Sequence, residues 1–226
     1  MGERRPLFTY ALLLLLVFIQ LYLSILPLDE ALRLYEAYSL TPVRLLRGLN
    51  PDSIVTYMFL HGGWLHLALN AVALLGAGGI VEGELGALRC AAIYLSSGIV
   101  SGLVHVLLNP RSDVPLVGAS GAIFGLIAVL FLLTPFKITY VLFIPLPAFL
   151  VGVILSAAGF SSLWLGVEGF VAHDVHVAGL IYGSLCAFLI DSKRALKGLL
   201  VAVATVILLY LLAWRLGLLP PLPHGL

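Results

Sequence analysis

Apolar residues in this chain run in blocks of membrane length, separated by short polar stretches or by breaks rich in glycine and proline. Seven such blocks stand out, at residues 7–26, 57–79, 87–108, 119–134, 138–160, 172–190 and 198–218. A bilayer core calls for about 20 apolar residues per helix, and fewer where the membrane thins. The pattern therefore predicts an all-α polytopic membrane protein with seven spans. The fourth and sixth blocks look marginal as spans, yet they carry the most interesting polar side chains.

Between the first two blocks, residues 28–56 mix Asp29, Glu30, Arg33, Glu36, Arg44 and Arg47 with Leu32, Leu34, Tyr35, Tyr38, Leu45 and Leu46. The segment is too charged to span and too apolar for free solution, so it reads as an amphipathic element lying in the interface. The organisation expected is a first transmembrane helix (1–27), this interfacial loop (28–56), a core with five transmembrane helices (57–190), a linker with a seventh transmembrane helix (191–219) and a disordered tail (220–226). The first block follows Glu3-Arg4-Arg5 but shows no small-residue cleavage site behind it, which favours a retained anchor over a signal peptide. With the N-terminus cytoplasmic, Arg4, Arg5, Arg89, Lys137, Lys193, Arg194 and Lys197 fall on the cytoplasmic side and five other basic residues on the far side. That orientation obeys the positive-inside rule.

Composition agrees with the pattern: 62% of the residues are hydrophobic and only 10% charged. A net charge of +1 offers no basic field for nucleic acid, so that class of partner is set aside. Cys90 and Cys186 both lie in apolar stretches, where a thiol behaves as a small hydrophobe.

Polar groups inside hydrocarbon are costly and need a partner, a cavity or a function. The second block holds His61, His66 and Asn70, the third His105, the fourth Ser120, and the sixth His173, Asp174 and His176. His66 and Asn70 are four apart and share a helix face, so two donors can aim at one point. Gly118-Ala119-Ser120-Gly121 puts a hydroxyl between glycines at the start of a helix. His176 is followed by Gly179 and Gly183, all three on one narrow stripe. If that stripe packs on the glycines of the fourth helix, the backbones approach closely enough for the His176 imidazole to reach the Ser120 hydroxyl, as activation of a nucleophile requires. Ser120 would then attack a peptide carbonyl, with His176 as base and later acid. His66, Asn70 and the Ser120 backbone N–H would stabilise the oxyanion. Asp174 lies two residues from His176, on roughly the opposite face, which points to a Ser-His dyad rather than a triad. His61 and His105 read as structural, with His61 supporting the wall of the site.

In these motifs, His61-x4-His66-x3-Asn70, Gly118-x-Ser120-Gly121 and His176-x2-Gly179-x3-Gly183, in that order and on separate spans, the chain resembles the rhomboid family of intramembrane serine proteases from His61 to Asp191. The resemblance implies a six-helix core, to which the seventh helix is an addition. It places the catalytic serine and histidine on Ser120 and His176 and the oxyanion side chains on His66 and Asn70. Gly118, Gly121, Phe124, Gly179, Gly183 and His61 are in supporting positions. It also implies cleavage of transmembrane protein substrates near helix-weakening sequence, in contact with membrane lipids, without cofactor or metal. The protein would lie in the plasma membrane with its active site opening to the extracytoplasmic side. A cap over residues 160–171 and a gate near Pro145 and Pro147 are expected, and Glu82 with Gly86 is read as a structural pair. Phe124, four residues after Ser120, can stack on the imidazole but offers no hydroxyl. The Trp-Arg pair common in the family's first loop is missing around Asp52-Ser53, leaving the architecture of that loop open. Rival readings are a zinc site on His173, His176 and His66, which lacks an HExxH motif, a catalytically inactive chaperone or scaffold, and a proton-coupled transporter, which lacks paired broken helices.

Overall fold

The computed structural model of the protein describes residues 5–141, 144–164 and 172–217. Helix α1 (Leu7–Ile25) buries a single stripe of Thr9, Leu12, Leu16, Gln20 and Leu23 and turns the rest of its apolar surface outward. Outward-facing Leu14 and Phe18 are the surface expected against lipid rather than water. The interfacial region folds as α2 (Leu28–Tyr38), with Asp29 and Glu30 in its first turn, and two short helices, α3 (Pro42–Leu46) and α4 (Ser53–Thr56). Without a Trp-Arg pair, this loop is held by other contacts. Arg44 pairs with Glu36, Asn50 donates to the Ala37 carbonyl at 3.0 Å, and the Tyr35 hydroxyl donates to the His61 carbonyl. A backbone bridge between Leu40 and Leu116 ties the region to the segment leading into Ser120.

The second long apolar helix runs from Trp64 to Leu85 as α5 (Trp64–Ala73), a π-helical turn (Leu74–Gly78) and α6 (Gly79–Leu85). It begins later than the apolar pattern predicts. Tyr57–Phe59 is a 3-10 turn, and Gly63, at φ +138°, marks the chain's entry into the helix. His61 consequently sits in the lead-in rather than within the span. From the far end of this helix, Glu82 reaches the start of α1 and accepts from Phe8 N at 2.9 Å, Thr9 N at 2.8 Å and Thr9 Oγ1 at 2.8 Å. The carboxylate satisfies N–H groups that have no partner within their own helix.

Helix α7 (Ala87–Leu108) leads to the centre of the molecule, α8 (Ser120–Leu133), which is buried nearly all round. At 14 residues and about 1.5 Å per residue, α8 is shorter than a bilayer core of about 30 Å is thick. Such a helix cannot reach both faces of the membrane.

The fifth block departs from the expected helix over 138–160. Ile138–Val141 (β1) pairs antiparallel with Ile144–Pro147 (β2), Ile138 opposite Pro147, and α9 (Ala148–Trp164) begins only after the hairpin. Pro145 and Pro147 remove helical N–H groups, and Ile138, Thr139, Tyr140 and Ile144 favour a pleated backbone. Hydropathy alone does not separate an apolar strand from an apolar helix. Thr139 packs against Gly76 of the π-helical turn, so the hairpin leans on the second span.

Helix α10 (His173–Ile190) is followed by α11 (Ser192–Arg215), which starts six residues before the apolar block because Asp191 accepts from Arg194 N at 3.0 Å and caps it. Arg194 Nε in turn donates to the Leu133 carbonyl at the end of α8, at 3.2 Å. Among the described residues five helices are long and apolar enough to cross a membrane, and α8 and α9 are shorter apolar helices. The expected cap at 160–171 falls largely, and the expected tail at 220–226 wholly, outside the described residues.

The most extensive helix packing joins α8 and α10. A Cβ at Gly179 would overlap the Gly121 carbonyl, and one at Gly183 the Gly125 carbonyl. Gly183→Ala is expected to cost about 1–3 kcal/mol by overpacking and to lower the thermal midpoint in detergent. An unchanged midpoint would mean that the two helices part freely.

Candidate active site

The side chains of the expected site are delivered by three elements, α5, α8 and α10, to the end of the molecule where α8 and α10 begin. Ser120 is the first residue of α8, following Gly118 at φ +123°, a conformation that L side chains rarely adopt. A Cβ on Gly118 would also collide with the His66 ring, Cε1 at 2.8 Å and Nε2 at 2.9 Å. Glycine is thus required twice over, for the turn into α8 and for the room that His66 occupies.

His176, in the first turn of α10, places its Nε2 2.8 Å from the Ser120 Oγ. The contact depends on the glycine packing described above, because side chains between the two helices would hold them apart. Val175, the residue before, fits against Gly121. Phe124, one turn after Ser120, stacks on the imidazole with ring centroids 4.2 Å apart and planes 7° from parallel. That leaves the ring little freedom to rotate away from the hydroxyl.

His66 and Asn70 lie on one face of α5, as their spacing requires. The Asn70 side chain is buried and donates one N–H to the His66 carbonyl at 2.9 Å, and among the described residues its second amide hydrogen has no partner. His66 Nδ1 accepts from Gly62 N at 3.3 Å. The neutral ring then carries its proton on Nε2, the atom facing Gly118 and the start of α8, a tautomer assigned from this hydrogen bond. Backbone N–H groups of the first turn of α8 converge on the same region. The role of Gly62 was not legible in the sequence, where residues 57–79 read as one continuous span.

His61 is fully buried and meets His66 edge-on, with centroids 5.2 Å apart. Burial pushes its imidazole down to about 4, with the neighbouring His66 adding to the effect. His173 approaches the edge of the His176 ring at a centroid distance of 6.4 Å. Among the described residues, no three His, Cys, Asp or Glu side chains form a group able to hold a metal ion, so the zinc reading on His66, His173 and His176 has no assembled site. Asp174 does not face the His176 ring; it pairs with His105 Nδ1 at 2.8 Å, joined by Asn109. Asn109 was missed in the sequence, although one of only three asparagines lying four residues after His105 was a usable signal.

The site is thus a serine hydroxyl at hydrogen-bonding distance from a stacked histidine, beside two further polar side chains at one end of a membrane-embedded bundle. The model of the Rhomboid domain matches residues 50–194, most of the chain and all of these side chains. The chain belongs to the rhomboid family. It is similar to Rhomboid-like protease 5 of Toxoplasma gondii, 38% identical over 138 residues, which make up 60% of this chain and 16% of that protein. It is also similar to the putative rhomboid protease YdcA of Bacillus subtilis, 29% identical over 146 residues, 62% of this chain and 68% of that protein. RHOMBOID-like protein 5 of Arabidopsis thaliana is 40% identical over 74 residues, 33% of this chain and 24% of the relative. The chain thus spans a small part of the Toxoplasma and Arabidopsis relatives and about two thirds of the Bacillus one. This rhomboid protein is an integral membrane protein.

The depressed value at His61 has a consequence for stability. The unfolded chain takes up a proton at this residue near 6.5, whereas the folded rhomboid protein keeps the ring neutral down to about 4. The stability linked to His61 is present above 6.5 and is lost as the pH falls toward 4. The thermal midpoint should drop over that window in the wild type and drop less in His61→Gln; equal drops would remove His61 as the cause.

Proposed function

We propose that the protein is an intramembrane serine endopeptidase that hydrolyses peptide bonds of transmembrane substrates through a dyad of Ser120 and His176. The observation that carries this reading is the 2.8 Å separation of Ser120 Oγ and His176 Nε2, with the imidazole stacked on Phe124. His176 Nε2 takes the hydroxyl proton as Ser120 Oγ bonds to the scissile carbonyl carbon, and negative charge collects on the carbonyl oxygen. The free N–H of Ser120, the Nε2–H of His66 and the second amide hydrogen of Asn70 stabilise that charge. Collapse breaks the C–N bond, the leaving amine takes the proton from His176, and an acyl-serine remains. Water then repeats the sequence: His176 removes its proton, and Ser120 Oγ recovers that proton when the ester bond breaks.

The position of Ser120, at the start of a helix shorter than the membrane is thick, requires water to reach it from one face and the substrate helix to unwind locally. The basic side chains near the opposite end, Arg89, Lys137, Arg194 and their neighbours, support an N-terminus in the cytoplasm and an active site open to the extracytoplasmic side of the plasma membrane.

Labelling of the detergent-purified protein by a fluorophosphonate probe, together with cleavage of a model transmembrane substrate, tests the proposal. Both activities should be lost in Ser120→Ala and in His176→Ala while helical content stays unchanged. Retained cleavage in Ser120→Ala would overturn the dyad, and a wild type inert in both assays would favour an inactive scaffold. Asn70→Ala should leave a measurable enzyme, with turnover reduced on the order of 10² to 10³; wild-type turnover would make Asn70 purely structural.

A further inference from the structure

Among the described residues, no carboxylate is bonded to the His176 ring, so something other than a triad partner must hold the imidazole at the hydroxyl. We infer that Asp174 is a positioning residue for the dyad, clamped by His105 and Asn109 of α7 so that the first turn of α10 presents His176 to Ser120. The inference rests on the dyad reading above.

Helix α10 begins at His173 after Ala172, which offers no side-chain cap. Asp174 fills that role from inside the first turn: its Oδ1 accepts from Val175 N at 2.9 Å. Its Oδ2 leaves the helix altogether, accepting from Asn109 Nδ2 at 2.8 Å and pairing with His105 Nδ1 at 2.8 Å. Asn109 is itself anchored, since its amide also donates to the His105 carbonyl at 2.9 Å. His105 and Asp174 expose only 13% and 11% of their side chains, so the pair lies out of bulk solvent, where its geometry is maintained against little competition from water.

Three consecutive residues of α10 thereby make specific contacts with α7 and α8. Asp174 is tied to the end of α7, Val175 lies against Gly121 of α8, and His176 meets Ser120. Successive residues of a helix are about 100° apart, so these contacts together determine both the rotation of α10 about its axis and its height against α8. The glycine stripe by itself is smooth and resists sliding poorly; the polar clamp supplies the directional restraint. A displacement of about 1 Å at a reacting pair is enough to cost roughly 100-fold in rate.

The test compares the rate of fluorophosphonate labelling, and kcat and KM for a model transmembrane substrate, among wild type, Asp174→Ala, Asp174→Asn, His105→Ala and the Asp174→Ala/His105→Ala double variant. Asp174→Ala and His105→Ala should each label and turn over roughly 10- to 100-fold more slowly, with KM within about twofold of wild type. Asp174→Asn keeps one acceptor oxygen for Val175 N and an amide that can donate to His105 Nδ1, but leaves Asn109 Nδ2 without an acceptor, so it should recover part of the rate. The double variant should be no slower than the slower single, because both changes open the same clamp. Wild-type labelling in Asp174→Ala, additive losses in the double variant, or no recovery in Asp174→Asn would each overturn the inference while leaving the dyad standing. A wild type that does not label at all would overturn both. Should Asp174→Ala lose its helical content, His105→Ala decides in the same way, because it leaves the Asp174 cap on Val175 in place.

Discussion

The contact on which the rest of the molecule depends is the packing of α10 on α8, where Gly179 rests on the Gly121 carbonyl and Gly183 on the Gly125 carbonyl. In lipid there is little hydrophobic gain in bringing two apolar helices together, so association relies on close van der Waals contact, which small residues permit. Helices that meet through larger side chains stand about 8–10 Å apart. A histidine on one helix and a serine on the next are then held at a separation set by whatever side chains lie between them. Glycine removes that spacer, and the 2.8 Å approach of His176 to Ser120 follows from it.

The second constraint is the length and burial of α8. This helix is surrounded on nearly every side and contains only 14 residues, too few to reach both faces of a bilayer core. Each end is therefore completed by other elements. Gly118, His66 and the first turn of α10 gather around its start, while Arg194 of α11 donates to the Leu133 carbonyl at its finish. A cation at the C-terminal end of a helix is favourable both as a donor and against the helix dipole. The additional helix α11 is in this way connected to the element that carries Ser120, although the two ends of α8 are far apart.

Carboxylates within the bundle follow one rule. Glu82 accepts from the first turn of α1, Asp174 from the first turn of α10, and Asp191 from that of α11. A negative charge near hydrocarbon is expensive, and the unpaired N–H groups at a helix start are among the few backbone features that offset it. Asp174 differs in also engaging a second helix through His105 and Asn109, which makes it the one carboxylate of the three that bears on the geometry of the proposed dyad.

By itself the sequence determined the membrane class, the position of α1, α7, α8 and α10 to within a residue or two, and the side chains worth examining. Long apolar blocks leave a chain little choice but helix in a bilayer, where every backbone group must be paired internally, and polar residues in such blocks are conspicuous by their cost. The same reasoning failed at Ile138–Pro147, because an apolar stretch with two prolines satisfies hydropathy as a hairpin as well as a helix, and at residues 57–63, where consecutive glycines delay the start of α5. Periodicity showed that His176, Gly179 and Gly183 share a stripe and that Asp174 points elsewhere. Only the tertiary structure decided where that elsewhere is, pairing Asp174 with His105 69 residues away, and only it placed the Gly62 N–H on His66 Nδ1. Spacing along a helix is a local property carried by the backbone, whereas contacts between helices depend on how closely their surfaces approach, which is set by all the residues at the interface together.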